Sequence, residues 1–231
     1  MEAGRLIASG RDGDIFEFGP GRVLRKARDG RSLASEARII TYARDHGYPA
    51  PEIHELRAND SELVMERVDG PLMVDAMLRR IWRLRDFATM LADLHDQLHE
   101  IPGPGYLRQM PDGGDRLLHL DLHPLNVIVS ERGPVVIDWT NAARGEGSSD
   151  VAVTFVLLTC PRVPGSAVVR GLAGPVRRTF ARAFARRYRG PALDARIAEM
   201  AELKTLDRNM HPDEVVAMQK LAAQKRAKEA G

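Results

Sequence analysis

A chain of 231 residues is long enough for one sizeable domain or for two small lobes sharing a cleft. With 44% apolar and 29% charged residues it has the composition of an ordinary globular protein, which excludes disordered and fibrous classes. A formal net charge of +2 gives no overall argument for nucleic acid or a membrane surface, and no apolar run approaches the length of a bilayer-spanning helix. The one cysteine, Cys160, has no intrachain partner and sits in the apolar run 151–160, where it reads as a small core residue. With no signal-peptide pattern at the N-terminus, the expected location is a reducing compartment, the cytoplasm.

In chain order, residues 6–8, 14–18 and 22–26 read as short strands separated by glycine-bearing turns, with Gly19-Pro20-Gly21 joining the last two. Leu33, Ala37, Ile40 and Ala43 recur at threes and fours, which predicts a helix over 32–46. Ser32 supplies capping chemistry at its start and Gly47 stops it. Pro49 and Pro51 enforce extended backbone before a strand at 53–56, and 61–68 follows as an apolar-rich strand ending in Asp69-Gly70-Pro71. From 74 onward the pattern is mainly helical: 74–84, 87–98, 150–160, 175–188, 193–206 and 212–228. Between them, 126–130 and 134–137 read as a hairpin turning at Glu131-Arg132-Gly133. The expectation is an α+β fold of two lobes, a sheet-rich one over 1–69 and a helical one over 70–231.

The strongest local signal is His119-Leu120-Asp121-Leu122-His123-Pro124-Leu125-Asn126, followed after the predicted hairpin by Val135-Val136-Ile137-Asp138. It matches the kinase catalytic-loop template, histidine-x-aspartate-leucine-x-x-x-asparagine, with a second aspartate downstream. Phosphoryl transfer needs a carboxylate to orient the attacking hydroxyl and accept its proton, and hard oxygen ligands for Mg²⁺. Asp121, Asn126 and Asp138 supply these oxygens.

Together with Ile137-Asp138-Trp139, this loop resembles the aminoglycoside phosphotransferase family of kinase-like small-molecule kinases. The histidine-proline pair after Asp121 and the tryptophan after Asp138 favour that family over the protein kinases. The resemblance implies a bilobal protein-kinase-like fold with ATP in the cleft, Asp121 as catalytic base, and Asn126 and Asp138 as Mg²⁺ ligands. It implies that Asp150 braces the catalytic loop by hydrogen bonds. Glu36 matches the glutamate that pairs with a strand lysine or arginine to hold the ATP phosphates, and both Arg25 and Lys26 are candidates for that partner. Neighbours on a strand point to opposite faces, so only one can enter the site; the valine-x-x-lysine template favours Lys26. Tyr48-Pro49-Ala50-Pro51 and Met65 to Gly70 resemble the family's hinge, with backbone groups of Glu66 to Val68 on the adenine. The loop Ser9-Gly10-Arg11-Asp12-Gly13 would cover the nucleotide, with Ser9, Gly10 and Gly13 as contacts, although it lacks a full glycine-x-glycine signature. Leu120 and Thr140 stand where the family commonly has glycine.

The acceptor is expected to be a small molecule with a hydroxyl group; neither a membrane nor nucleic acid is an expected partner. Three alternatives remain open: a kinase of a protein or nucleic-acid-associated partner, a nucleotide-binding pseudokinase that regulates without turnover, and a non-nucleotide binding module. For the first, the arginines at 177, 178, 182, 186, 187 and 189 are the sole hint, and a solvated helix face is the simpler reading. The C-terminal part is rich in arginine with scattered acids, which argues mildly against a polycationic acceptor. His95 and His99 read as helix residues packed near the catalytic loop, and Trp82 and Trp139 as packing residues.

Overall fold

In the computed structural model, residues 3–10, 13–160, 167–207 and 210–229 are described, with 167–173 and 228–229 described by backbone alone. The N-terminal sheet has the strands β1 (Leu6–Ser9), β2 (Gly13–Glu17), β3 (Arg22–Ala27), β4 (Ile53–Arg57) and β5 (Glu62–Glu66). They pair antiparallel in the order β1-β2-β3-β5-β4. The β2–β3 turn places Gly19 and Gly21 at φ 72° and 65°, a left-handed conformation that glycine adopts without steric cost. Helix α1 (Ala34–Asp45) buries the predicted stripe, and Leu33, Ala37, Ala27 and Leu63 form one apolar cluster beneath it. The Ser32 hydroxyl accepts the Ala34 N–H at 3.2 Å, one position outside the formal cap at Leu33.

The chain divides into two compact units that do not follow chain order: residues 1–73 with 125–140, and residues 74–124 with 141–231. The hairpin of β7 (Val127–Ser130) and β8 (Gly133–Val136) therefore belongs with the N-terminal sheet rather than with the helices that flank it in sequence. Backbone bonds tie it there: Val129 N–H to the Pro71 carbonyl (2.9 Å) and Val136 N–H to that of Pro49 (2.8 Å). Trp139, fully buried, packs edge-on against Tyr48 at 5.5 Å between ring centroids.

The second unit holds α2 (Met73–Arg79) from Val74 onward, α3 (Leu84–His99), α4 (Gly147–Thr159), α5 (Ala167–Ala185), α6 (Pro191–Lys204) and α7 (Pro212–Glu229). It also holds a two-stranded ribbon of β6 (Arg116–Leu118) and β9 (Ala143–Gly145) that the sequence pattern did not indicate. Leu91, Leu94 and Leu98 of α3, Phe180 and Phe184 of α5 and Ile197 of α6 are all buried, as apolar periodicity requires. Three local expectations are corrected. The single helix over 74–84 breaks at Arg80 (φ −134°, ψ 54°), whose backbone leaves the helical region. Helix α5 begins at Ala167 and runs through Pro175, which removes one internal N–H without ending the helix. Trp82, expected in packing, is 78% exposed. Among the described residues no helix is long and apolar enough to cross a membrane.

Candidate active site

The sequence-predicted residues fall into one group in each unit. In the first, strand alternation decides between the two basic neighbours. Arg25 lies on the buried face of β3, while Lys26 lies on the other, 57% exposed and 3.4 Å from Glu62. The preference for Lys26 is thereby corrected: the β3–β5 register turns it to solvent. Arg25 Nη1 lies 2.7 Å from Glu36 Oε1 and 3.6 Å from Asp138 Oδ1, and its Nη2 donates to the Thr140 hydroxyl at 3.2 Å. Thr140 donates to Asp138 Oδ1 at 2.9 Å and lies 3.4 Å from Glu36 Oε2. The threonine in place of glycine is therefore not a passive departure, because its hydroxyl joins all three charged groups. Burial pushes the Glu36 carboxyl up, against the lowering charge of Arg25, and the negative charge of Asp138 adds to the rise.

Asp138 adopts φ 63° two residues past the end of β8, a rare backbone for a non-glycine residue. The Ile137 N–H donates to the Asn126 carbonyl at 2.9 Å, so the backbones that carry Asn126 and Asp138 meet at one end of the hairpin. Asn126 is buried and Asp138 half-exposed. Both offer hard oxygens, and a site with few protein ligands is what Mg²⁺ takes when phosphates and waters complete its shell. Among the described residues no cluster of three or more histidine, cysteine or acidic side chains stands ready to hold a metal.

Elsewhere in this unit the candidates are more constrained than the sequence indicated. Glu66 N–H donates to the Glu52 carbonyl at 2.8 Å and Arg67 N–H to that of Gly21 at 2.9 Å. Among the described residues, the N–H groups of Val68 and Asp69 at the expected hinge make no such backbone bond. The Glu66 carboxylate binds Arg132 at 2.6 Å; burial opposes its ionisation, but this partner holds it below the usual carboxylate range. Ser9 donates to Asp14 at 2.6 Å and accepts from Arg28 at 2.7 Å, and Gly10 N–H donates to the Gly13 carbonyl at 2.9 Å. A Cβ at Gly13 would meet the Lys26 carbonyl oxygen at 2.4 Å, so this glycine serves the close approach of β2 to β3. Arg11 and Asp12 of the expected loop lie outside the described residues.

In the second unit, Asp150 on α4 is completely buried and receives three donors. The backbone N–H groups of His119 and Leu120 reach it at 3.0 and 2.8 Å, and His99 Nε2 at 3.2 Å. Burial penalises this charge, yet the hydrogen bonds win and keep the carboxyl ionised far below its ordinary range. The expected brace is thus present. It holds Leu120 at φ 58°, the conformation for which glycine is the easier residue, at a cost of about 1–2 kcal/mol. Beneath the loop, Thr154 places its hydroxyl 2.8 Å from the Leu122 carbonyl oxygen and 2.9 Å from His95 Nε2. Complete burial lowers His95 to about 4, so it is a neutral structural imidazole. Sequence reasoning missed Thr154; an isolated threonine inside an apolar helix carries no motif signal.

Asp121, presented by this loop, has His123 Nε2 at 3.5 Å from Oδ1. Burial opposes its ionisation, but the His123 hydrogen bond and the charges of His123, His119 and Lys204 hold its carboxyl below the ordinary value. His123 is thus a partner of Asp121. The arginine run is partly spent inside the unit: Arg177 donates to the Thr159 carbonyl and Arg187 pairs with Asp93 and Asp96.

Residues 104–183, which include the braced loop, Asn126, Asp138 and Asp150, match the family model described as the phosphotransferase enzyme family. Solved structures extend the likeness to nearly the whole chain. A thermostable mutant of the aminoglycoside phosphotransferase APH(4)-Ia, in ternary complex with AMP-PNP and hygromycin B, aligns at TM-score 0.66 and 16% identity, covering 98% of this chain and 94% of that one. The amicoumacin kinase hAmiN, in complex with AMP-PNP, Ca²⁺ and Ami, aligns at TM-score 0.57 and 14% identity, covering 97% and 88%. A choline/ethanolamine kinase family protein from Mesorhizobium loti aligns at TM-score 0.57 and 14% identity, covering 98% and 87%. No curated protein matches the sequence significantly. The chain therefore has the fold of the kinase-like aminoglycoside phosphotransferases and carries, over residues 104–183, the sequence pattern of the phosphotransferase enzyme family.

Proposed function

We propose that this protein is an ATP- and Mg²⁺-dependent phosphotransferase that moves the γ-phosphoryl group to a hydroxyl of a small molecule. The observation that carries this reading is the loop braced by Asp150, which presents an ionised Asp121 within the family-matched segment. The solved relatives bind ATP analogues and act on, or are crystallised with, hydroxyl-bearing small molecules, which supports the same class here. A cytoplasmic location belongs to the same proposal.

Asp121 orients the acceptor hydroxyl and takes its proton as the new oxygen–phosphorus bond forms. Its depressed pKa keeps it ready as an acceptor at neutral pH. Arg25, held in direction by Glu36 and Thr140, provides a fixed guanidinium for phosphate oxygens, and a planar fork suits them better than a flexible ammonium. Asn126 and Asp138 would hold Mg²⁺, and the ion when bound would supply charge neutralisation at the phosphates. The Val68 backbone would meet the adenine, and Ser9, Gly10 and Gly13 would contact the nucleotide.

The test is magnesium-dependent ADP release over a panel of hydroxyl acceptors, comparing the wild type with Asp121→Asn. Loss of a general base should cost about a hundredfold to ten-thousandfold in turnover while the melting temperature is retained. Full activity in Asp121→Asn would remove the proposed base. Turnover in the wild type also separates this reading from a nucleotide-binding regulator without activity.

A further inference from the structure

Beside the braced loop, the helical unit contains a cavity of ≈ 190 Å³ that none of the roles above uses. Leu120, adjacent to Asp121, lines it; so does Lys204, whose charge helps to keep Asp121 ionised. Its floor is apolar, made by the buried side chains of Met110, Val153 and Met200. Its charges are unequal. The one acid in the lining, Asp207, is already matched by Lys204 at 3.0 Å. The other cation, Arg108, donates to the Met110 sulfur at 3.4 Å and makes no ion pair among the described residues.

A guanidinium without a carboxylate, at the edge of an apolar pocket, suits the two-oxygen face of a carboxylate or phosphate. A polycation would meet the opposite situation: two like charges and no unmatched acid, which disfavours the wrong partner by charge juxtaposition. The volume also falls below the range of about 300–1,000 Å³ typical of pockets for drug-sized ligands.

We propose that this cavity receives the acceptor, and that the acceptor is a compact hydroxy compound with an apolar body and an oxyanion, carboxylate or phosphate, held by Arg108. The proposal rests on the phosphotransferase reading and names its substrate class. In the step, the acceptor oxygen bonds to the γ-phosphorus of ATP and its proton passes to Asp121. The bond from that phosphorus to the β,γ-bridging oxygen breaks, and its electron pair leaves with ADP.

The experiment compares 3-hydroxybutyrate, glycerol 3-phosphate, uncharged 1,3-butanediol and the polycation kanamycin, by ADP release and by saturation-transfer NMR. One or both anionic probes are expected to bind and to be phosphorylated with the highest kcat/KM; which of them wins identifies carboxylate or phosphate as the head. Arg108→Gln should raise their KM by about tenfold to a hundredfold with kcat kept, as loss of a charged hydrogen bond does. Arg108→Glu should reverse the preference, with an unchanged melting temperature in both variants. A higher kcat/KM for kanamycin, failure of both anions to bind, or anion binding unaltered by Arg108→Glu would each overturn the proposal. A wild type that ignores Mg-ATP in a thermal shift would instead strike the phosphotransferase reading, so the two failures are distinct.

Discussion

Arg25 and Asp121 are held in place by different means. Around Arg25, four side chains hold one another: Glu36, Asp138 and Thr140 each meet the guanidinium, and Thr140 links the acids. Around Asp121, the backbone is held from below: a buried carboxylate takes two loop N–H groups, and Leu120 is forced into a left-handed conformation. The first arrangement is a network of side chains in mutual contact. The second is a rigid scaffold, satisfied before any ligand binds. On the proposed function, the backbone scaffold would lie where a proton is to be taken and the side-chain network where phosphates are to be held.

That contrast can be broken at either end, and the largest effect should come from the charge site. Asp138→Ala should lower turnover by at least about a thousandfold, since a bound metal supplies several kcal/mol of charge stabilisation. Its melting temperature without nucleotide should change little, because Asp138 is half-exposed; steady-state kinetics with calorimetry checks both. Asp150→Ala should do the reverse: about 2–5 kcal/mol of stability is lost, because two buried N–H groups lose their acceptor. Denaturant unfolding measures that loss. Arg25→Met leaves Glu36 buried without its cation and should destabilise by about 3 kcal/mol, less as pH falls and the Glu36 carboxyl, pushed up by burial, takes up a proton.

The scaffold should also reveal itself through pH. His95 titrates at about 4 in the fold against 6.5 in the unfolded chain. Between those values the unfolded chain binds a proton that the native one does not, so stability rises with pH across this window. The span corresponds to about 3 kcal/mol, and His95→Phe should flatten the dependence measured by urea unfolding from pH 4 to 7. Asp150, whose carboxyl is depressed, adds a further loss as pH falls below the normal carboxylate range. The smallest change should be Thr140→Val, which removes one hydroxyl from the Arg25 group and costs about 1 kcal/mol, read as a weaker affinity for Mg-ATP.

Much of this was legible in the residues. The spacing from His119 to Asp138 carries the loop and hairpin because phosphoryl transfer demands those residue types in that order. The α1 stripe was legible for a simpler reason, since Leu33 and Ala37 recur at the helical period and are buried. What remained illegible depended on pairings distant in sequence. Arg25 and Lys26 are adjacent, and only the register with β5 decides which one faces Glu36. Strands β6 and β9 have three residues each, too few to show alternation, and find each other across more than twenty residues of chain. Helix α2 ends at a residue with no breaker chemistry, and Trp82 is exposed where its size suggested a core. Thr140 read as a departure from a glycine pattern; its contact with Arg25 and Glu36 depends on residues more than a hundred positions away.

The central claim is that Asp138 serves a magnesium-bound nucleotide. Calorimetric titration of the purified protein with ATP, with and without Mg²⁺, tests it most directly when repeated on Asp138→Ala. The account predicts saturable binding in the wild type that strengthens with Mg²⁺, and loss of the magnesium dependence in the variant. Equal magnesium-dependent binding by wild type and Asp138→Ala, or none by the wild type, would contradict it.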